Sequence, residues 1–253
     1  MEEILSRLLV FQIVFDLISV TVGAGLCFGA LKWRRGLLTT TAIAWGFFLG
    51  LVAAIFIAEA AGEVGAILCI LIGTISLPIL TYTSPAVNRF VLGFLVSNKL
   101  FFMVTTPLAK DGAIGIEEAI IVPLVAGTVV GIALMAWTKM RVSAFVLGCT
   151  FVGASQIAPI VSEWANRILF GITGDPTFLF DPIDLIFALF KIELTDWWTL
   201  VGMVVFMGLG AYKQIKNMKE KGIPLDTPLI GFEDPTGHNG RVYTKNGHID
   251  TMD

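Results

Sequence analysis

Asp16 and Lys99 are ionisable residues inside stretches that are otherwise apolar, Leu8–Leu31 and Val87–Thr106. A charge inside such a stretch is costly and is a functional candidate by default. The chemistry open to this pair is to hold an ion, to pass a proton, or to form an ion pair that locks two helices together. Their depths can be compared. At ~1.5 Å per residue, Asp16 lies about 12 Å from the outer end of its stretch. Lys99 lies about 10–15 Å from the outer end of a stretch running the other way. Matching depths predict that the two side chains pair or share a water-filled pocket, with Gln12, Asn98 and Gln156 joining the same polar cluster. The plainer alternatives are a purely structural ion pair, or side chains that extend outward to the interface.

Nothing else in the chain has the makings of a catalytic or metal centre. The two histidines, His238 and His248, fall in the polar tail, and no Cys, His or carboxylate group has metal-ligand spacing. Cys27, Cys69 and Cys149 each sit in an apolar run, where cysteine acts as a small packing residue. There is no Gly-x-Ser-x-Gly elbow, phosphate-binding glycine loop or His-Glu-x-x-His helix. Glu117 and Glu118 open an apolar run, where acids complement a helix dipole. No basic stripe with interleaved aromatics points to nucleic acid. The expectation is a non-enzymatic protein without a cofactor.

The elements that must position these residues follow from composition. The 253 residues are 56% hydrophobic and only 15% charged, with a mean hydropathy of +0.83. A soluble domain usually carries about 25% charge, and one of this size has too little interior for so much apolar surface. A bilayer core of ~30 Å needs about 20 apolar residues per helix. Seven segments meet that pattern: Leu8–Leu31, Leu37–Ala58, Gly65–Thr83, Val87–Thr106, Ala119–Trp137, Ser143–Ser162 and Trp197–Tyr212. The fold class expected is all-α, a polytopic membrane protein. The acidic start Met1-Glu2-Glu3 and the length of the first run read as a retained span, not a cleaved signal.

Charge sets the direction. Lys32, Arg34 and Arg35 join spans one and two, Arg89 lies between three and four, Lys139 and Arg141 join five and six, and Lys213, Lys216, Lys219 and Lys221 follow span seven. Of the 17 Lys and Arg residues, twelve fall on this side, four on the other (Arg7, Lys110, Arg167, Lys191), and Lys99 within a span. Basic residues near span ends stay cytoplasmic. That predicts an outer N-terminus and a cytoplasmic C-terminus.

The glycines repeat. Gly25 and Gly29 in span one precede Gly46 and Gly50 in span two; Gly127 and Gly131 in span five precede Gly148 in span six. Four-residue spacing puts small residues on one helix face and lets backbones approach in lipid, within one bundle or between copies. The reading is three helical hairpins of one orientation plus a closing helix. Pro78, Pro123 and Pro159 lie inside spans, and Pro159 is the expected point for a broken helix. Residues 173–196 carry Phe178, Phe180, Phe187 and Phe190 ahead of Trp197 and Trp198, an interfacial segment suited to partners. Residues 1–217 are thus expected to form the membrane domain and 218–253 a short cytoplasmic tail. In that tail Asn246-Gly247 is placed to close a small hairpin with a tight turn.

Together, the acidic N-terminus, Gly25-Leu26-Cys27-Phe28-Gly29 before the basic turn Lys32–Arg35, Gly46-Phe47-Phe48-Leu49-Gly50, the recurrence of that pattern and Trp197-Trp198 resemble the transmembrane protein 198-like family over roughly residues 8–217. The resemblance implies a seven-span, non-enzymatic membrane protein, with a scaffold-like signalling role in some animal members. This chain differs from those members in its short tail and in the aromatic segment before span seven. Two functions are therefore candidates, the first expected and the second its alternative. One is a scaffold or subunit of a membrane assembly, with other membrane proteins or further copies of itself as partners. The other is a channel or transporter for an ion or small solute, with a polar site around Asp16 and Lys99.

Overall fold

A computed structural model describes residues 2–137, 140–170, 197–220, 222–226, 241–243 and 249–251. Helices dominate it: α1 (Glu2–Thr83), α2 (Pro85–Lys110), α3 (Ile116–Ala136), α4 (Val142–Phe170) and α5 (Trp197–Glu220). Five stretches are long and apolar enough to cross a membrane: Gly62–Thr83, Ala86–Ala109, Glu117–Ala136, Val142–Ser162 and Trp197–Glu220. The chain is a multi-pass α-helical membrane protein. The five agree with the last five predicted segments to within a few residues, except that α5 runs on into its basic end. The first two predicted segments contain shorter apolar helices, Asp16–Ala30 and Gly36–Leu51.

Straight, the 82 residues of α1 would extend about 120 Å. The chain instead reverses twice. A Cβ placed on Gly25 would touch the Leu37 side chain, and one on Gly46 would run into the Gly73 carbonyl. A Cβ on Gly50 would stand 2.7 Å from the Cys69 oxygen. Gly62, at φ +65°, lies in the second reversal, where only glycine enters the left-handed region without strain. Lipid offers no hydrogen bonds, so hydroxyls in these segments turn to their own helix. Thr41 donates to Leu37 O, Thr74 to Ile70 O and Thr81 to Leu77 O.

α2 and α3 form an antiparallel hairpin. Ser84 caps α2 by accepting from Val87 N at 3.4 Å. Asp111–Gly115 make the turn, with Gly112 at φ +71° and the Gly115 amide donating to Glu118 Oε2 at 2.9 Å. Phe94 packs over Gly127 and Phe90 over Gly131. At one end Thr105 Oγ1 donates to Ala119 O at 3.0 Å. At the other, Arg89 donates to Leu134 O at 3.3 Å and to Met135 O at 3.0 Å.

α4 packs along both α1 and α5. The main core joins Leu26, Ala30 and Leu38 of α1, Val91, Leu95 and Phe102 of α2, Phe145 and Val152 of α4, and Met218 of α5. Met140 and Ile223, beyond the ends of α4 and α5, join it too. Hence the start of α2, the end of α3, the start of α4 and the end of α5 share one end of the bundle. α4 runs unbroken through Pro159, so the expected break does not occur.

In the tail, β1 (Arg241–Tyr243) and β2 (Ile249–Thr251) are antiparallel, with Tyr243 opposite Ile249. The expected small hairpin around Asn246-Gly247 is thus present. The loop itself, 244–248, is outside the described residues.

Candidate functional site

The buried polar residues of the bundle concentrate on α2, which carries Asn88, Arg89, Ser97, Asn98, Lys99 and Thr105. Helical spacing puts Leu92, Lys99 and Met103 on one stripe of α2, and Val91, Leu95, Asn98 and Phe102 on the next. The first stripe faces α4. The Leu92 methyl lies 3.2 Å from where a Cβ on Gly148 would be, and Met103 packs with Ala154, Ile157 and Ala158. The two helices are therefore parallel, and this register brings Asn98 and Lys99 level with Ser155.

Asn98 is 0% exposed, Lys99 3% and Ser155 1%. Neither Nδ2 nor Oδ1 of Asn98 has a hydrogen-bond partner among the described residues, and the same holds for Gln156 Oε1. Gln156 sits one position further on α4, its Cβ 3.2 Å from a Cβ built on Gly23 of α1. Ser155 Oγ donates to Val152 O at 2.8 Å. Pro159 has no N–H to offer, so the Ser155 carbonyl lacks its usual donor one turn on. Around one level, then, lie a cation, an amide and further acceptors. Lys99 is itself engaged in an interaction.

Asp16 lies further out. The Trp164 indole of α4 donates to Asp16 Oδ2 at 3.0 Å, and the carboxylate is buried. α1 and α4 run antiparallel here, with Gly23 against Gly153 and Asp16 against Trp164. Seven residues separate Asp16 from Gly23, about 10 Å of helix rise. Asp16 thus meets Trp164, while helical register brings Asn98 and Lys99 level with Ser155 and Gln156; Asp16 and Lys99 each make a further interaction. The Gln12 side chain lies outside the described residues.

Another set of polar contacts was not anticipated. Gln214 Nε2 of α5 donates to Leu26 O at 3.1 Å and to Cys27 O at 2.6 Å. Cys27 Sγ donates to Thr150 O at 3.4 Å. A Cβ on Gly210 would stand 2.6 Å from Cys27 O, so the backbones of α1 and α5 nearly touch. None of Cys27, Cys69 and Cys149 is in a disulfide.

The packing glycines are distributed over several helix pairs. Gly25, Gly46, Gly50, Gly127, Gly131 and Gly148 each meet a neighbouring segment of the same chain, and Gly29 is half-buried in α1. Gly23 and Gly210, absent from the four-residue pattern, make equally close approaches. Of the aromatic segment, Phe178, Phe180, Phe187 and Phe190 lie outside the described residues, while Trp197 and Trp198 start α5 and are exposed. Trp164 and Thr105 were legible only as apolar-run residues; their partners are distant in sequence. No family model, curated protein or solved structure matches this chain.

Proposed function

We propose that this chain is a seven-span, non-enzymatic membrane protein whose helix bundle carries a channel or transport site for a small solute at the Asn98–Lys99 level. The observation that carries the reading is Asn98. Its amide is wholly enclosed, and neither polar atom meets a protein partner among the described residues. An amide left so in a bundle interior costs about 1–3 kcal/mol. An apolar residue would fill the same space without that cost. A polar visitor removes it. Lys99 beside it supports the reading, because an ionisable residue inside a membrane domain is a functional candidate by default.

Seven spans rest on the same geometry. Lys213 Nζ stands 5.5 Å over the Phe28 ring, and Gln214 holds Leu26 and Cys27. These contacts support a first reversal at the end of the bundle that bears Arg89 and Arg141. By the charge rule that end is cytoplasmic, which leaves the N-terminus outside. The scaffold reading retains one specific support. Trp197 and Trp198 are 76% and 77% exposed, on a helix whose far end carries Lys213, Lys216 and Lys219.

Reconstitution in liposomes with a panel of ions and small solutes tests the transport reading. Solute-dependent flux that Asn98→Leu lowers is the expected result. A silent protein that reproducibly co-purifies with a membrane partner would replace transport with the scaffold function.

A further inference from the structure

We infer that the site at Asn98 takes a small neutral molecule that both donates and accepts hydrogen bonds, water or a solute of urea or glycerol size, and not an ion; this rests on the transport reading above. The argument is one of hydrogen-bond balance. Asn98 Nδ2 brings two N–H donors and no partner for them; Asn98 Oδ1 and Gln156 Oε1 are acceptors in the same condition. Donor and acceptor of the one Asn98 amide stand side by side, so whatever meets them must both accept and donate.

A bare anion would satisfy the amide donors and leave the acceptors stranded. A bare cation would satisfy the amide oxygen and leave the amide donors stranded. Only a molecule with both functions satisfies both sets. The surroundings exclude anything large. Phe102 is 1% exposed and Leu95 0% on the Asn98 stripe, and Val152 is 0% on α4. Gly23 and Gly153 meet almost backbone to backbone just beside Gln156. Buried water settles where two to four polar partners converge, and a small amide or polyol presents the same functions on a larger frame.

The test uses the full-length protein in liposomes, read by stopped-flow light scattering for water, urea and glycerol, with chloride and potassium flux measured on the same vesicles. The expected result is water or neutral-solute permeability above empty vesicles. Asn98→Leu should lower it roughly tenfold, the factor equivalent to about 1.4 kcal/mol. Gln156→Leu should lower it less, and Val129→Ala, on the exposed face of α3, should leave it unchanged. Urea or glycerol flux identifies a solute site; water flux alone identifies a water site; either supports the inference. Chloride or potassium flux without neutral permeability overturns the inference while leaving transport intact. No flux of any species overturns the transport reading itself. Should Asn98→Leu fail to give a monodisperse protein, Asn98→Ser, which keeps a donor and an acceptor in less volume, must retain measurable neutral permeability; its loss counts against the inference.

Discussion

Thr105 shows how single polar atoms are placed in this bundle. Pro123 cannot donate to the carbonyl one turn back, Ala119 O. Thr105, on the neighbouring helix, supplies that donor at 3.0 Å. Thr105→Val should therefore destabilise the protein in detergent by about 1 kcal/mol, within the range for hydrogen bonds between membrane helices. Pro123→Ala restores an N–H to the same carbonyl, so the double variant should recover much of the loss. A thermal or SDS denaturation cycle that finds the two changes additive would break the link. Asn98 presents the opposite case. Because its amide lacks a partner among the described residues, Asn98→Leu should raise the denaturation midpoint while it lowers flux, the trade expected where function retains an awkward residue. A lower midpoint would mean that the amide serves packing. Residues of this kind were half legible in the sequence. Asn98 and Lys99 announced themselves as polar breaks in an apolar run. Thr105 did not, although a hairpin turning at Gly112 sets 105 opposite 119, and that register was within reach. Trp164, the partner of Asp16, was hidden because 148 positions separate the two.

Helix pairing is governed by how near the backbones come. Gly46 and Gly73 touch through their carbonyls, so Gly46→Ala must push two segments apart, at a cost of about 1–3 kcal/mol for overpacking. Gly208, in α5, has nothing within 4 Å of a Cβ. Gly208→Ala should be neutral or gain up to about 1 kcal/mol from helix propensity. Equal effects in a denaturation assay would refute the packing assignment. Arg89 does a different task for α3. Its guanidinium reaches Leu134 O, which also accepts from Trp137 N, and Met135 O, carbonyls of the last turn, where a cation complements the helix dipole. Arg89→Met should cost about 1.5–3 kcal/mol, the range for hydrogen bonds to charged groups. Arg89→Lys should recover only part, because it retains the charge but loses the fork. The ends of α2 through α5 were legible because uninterrupted apolar runs and flanking charge define them. Which helix each glycine meets was not, because four-residue spacing gives a face and not its partner. Arg89, visible only as a loop charge, is in fact 5% exposed.

At the scale of the whole molecule, the decisive point is the turn around Lys32–Arg35. If the helical stretch before Gly62 stays out of the bilayer, that turn lies on the same side as Gly62 and Gly112. If the stretch crosses twice, the turn lies on the opposite side, with Arg141 and the end of α5. The N-terminus is on the Gly62 side in either case, so tagging it decides nothing. The contacts favour two crossings: Phe28 lies under Lys213, near the basic end of α5, and Leu26, Ala30 and Leu38 share a core with Met140 and Met218. Charge agrees, because three cations at that turn would otherwise face outward against the usual bias. In the cysteine-free background, Trp33→Cys and Arg141→Cys should react with an impermeant maleimide from one face of oriented vesicles. Gly62→Cys and Gly112→Cys should react only from the other. Labelling of Trp33→Cys together with Gly112→Cys would reduce the protein to five spans. It would also set Asp16 and Gly23 outside the membrane while Trp164 and Gln156, which they touch, belong to a spanning helix. Seven spans remove that conflict, because α1 then crosses beside α4 over the same depth, with the carboxylate and the indole facing each other inside one bundle.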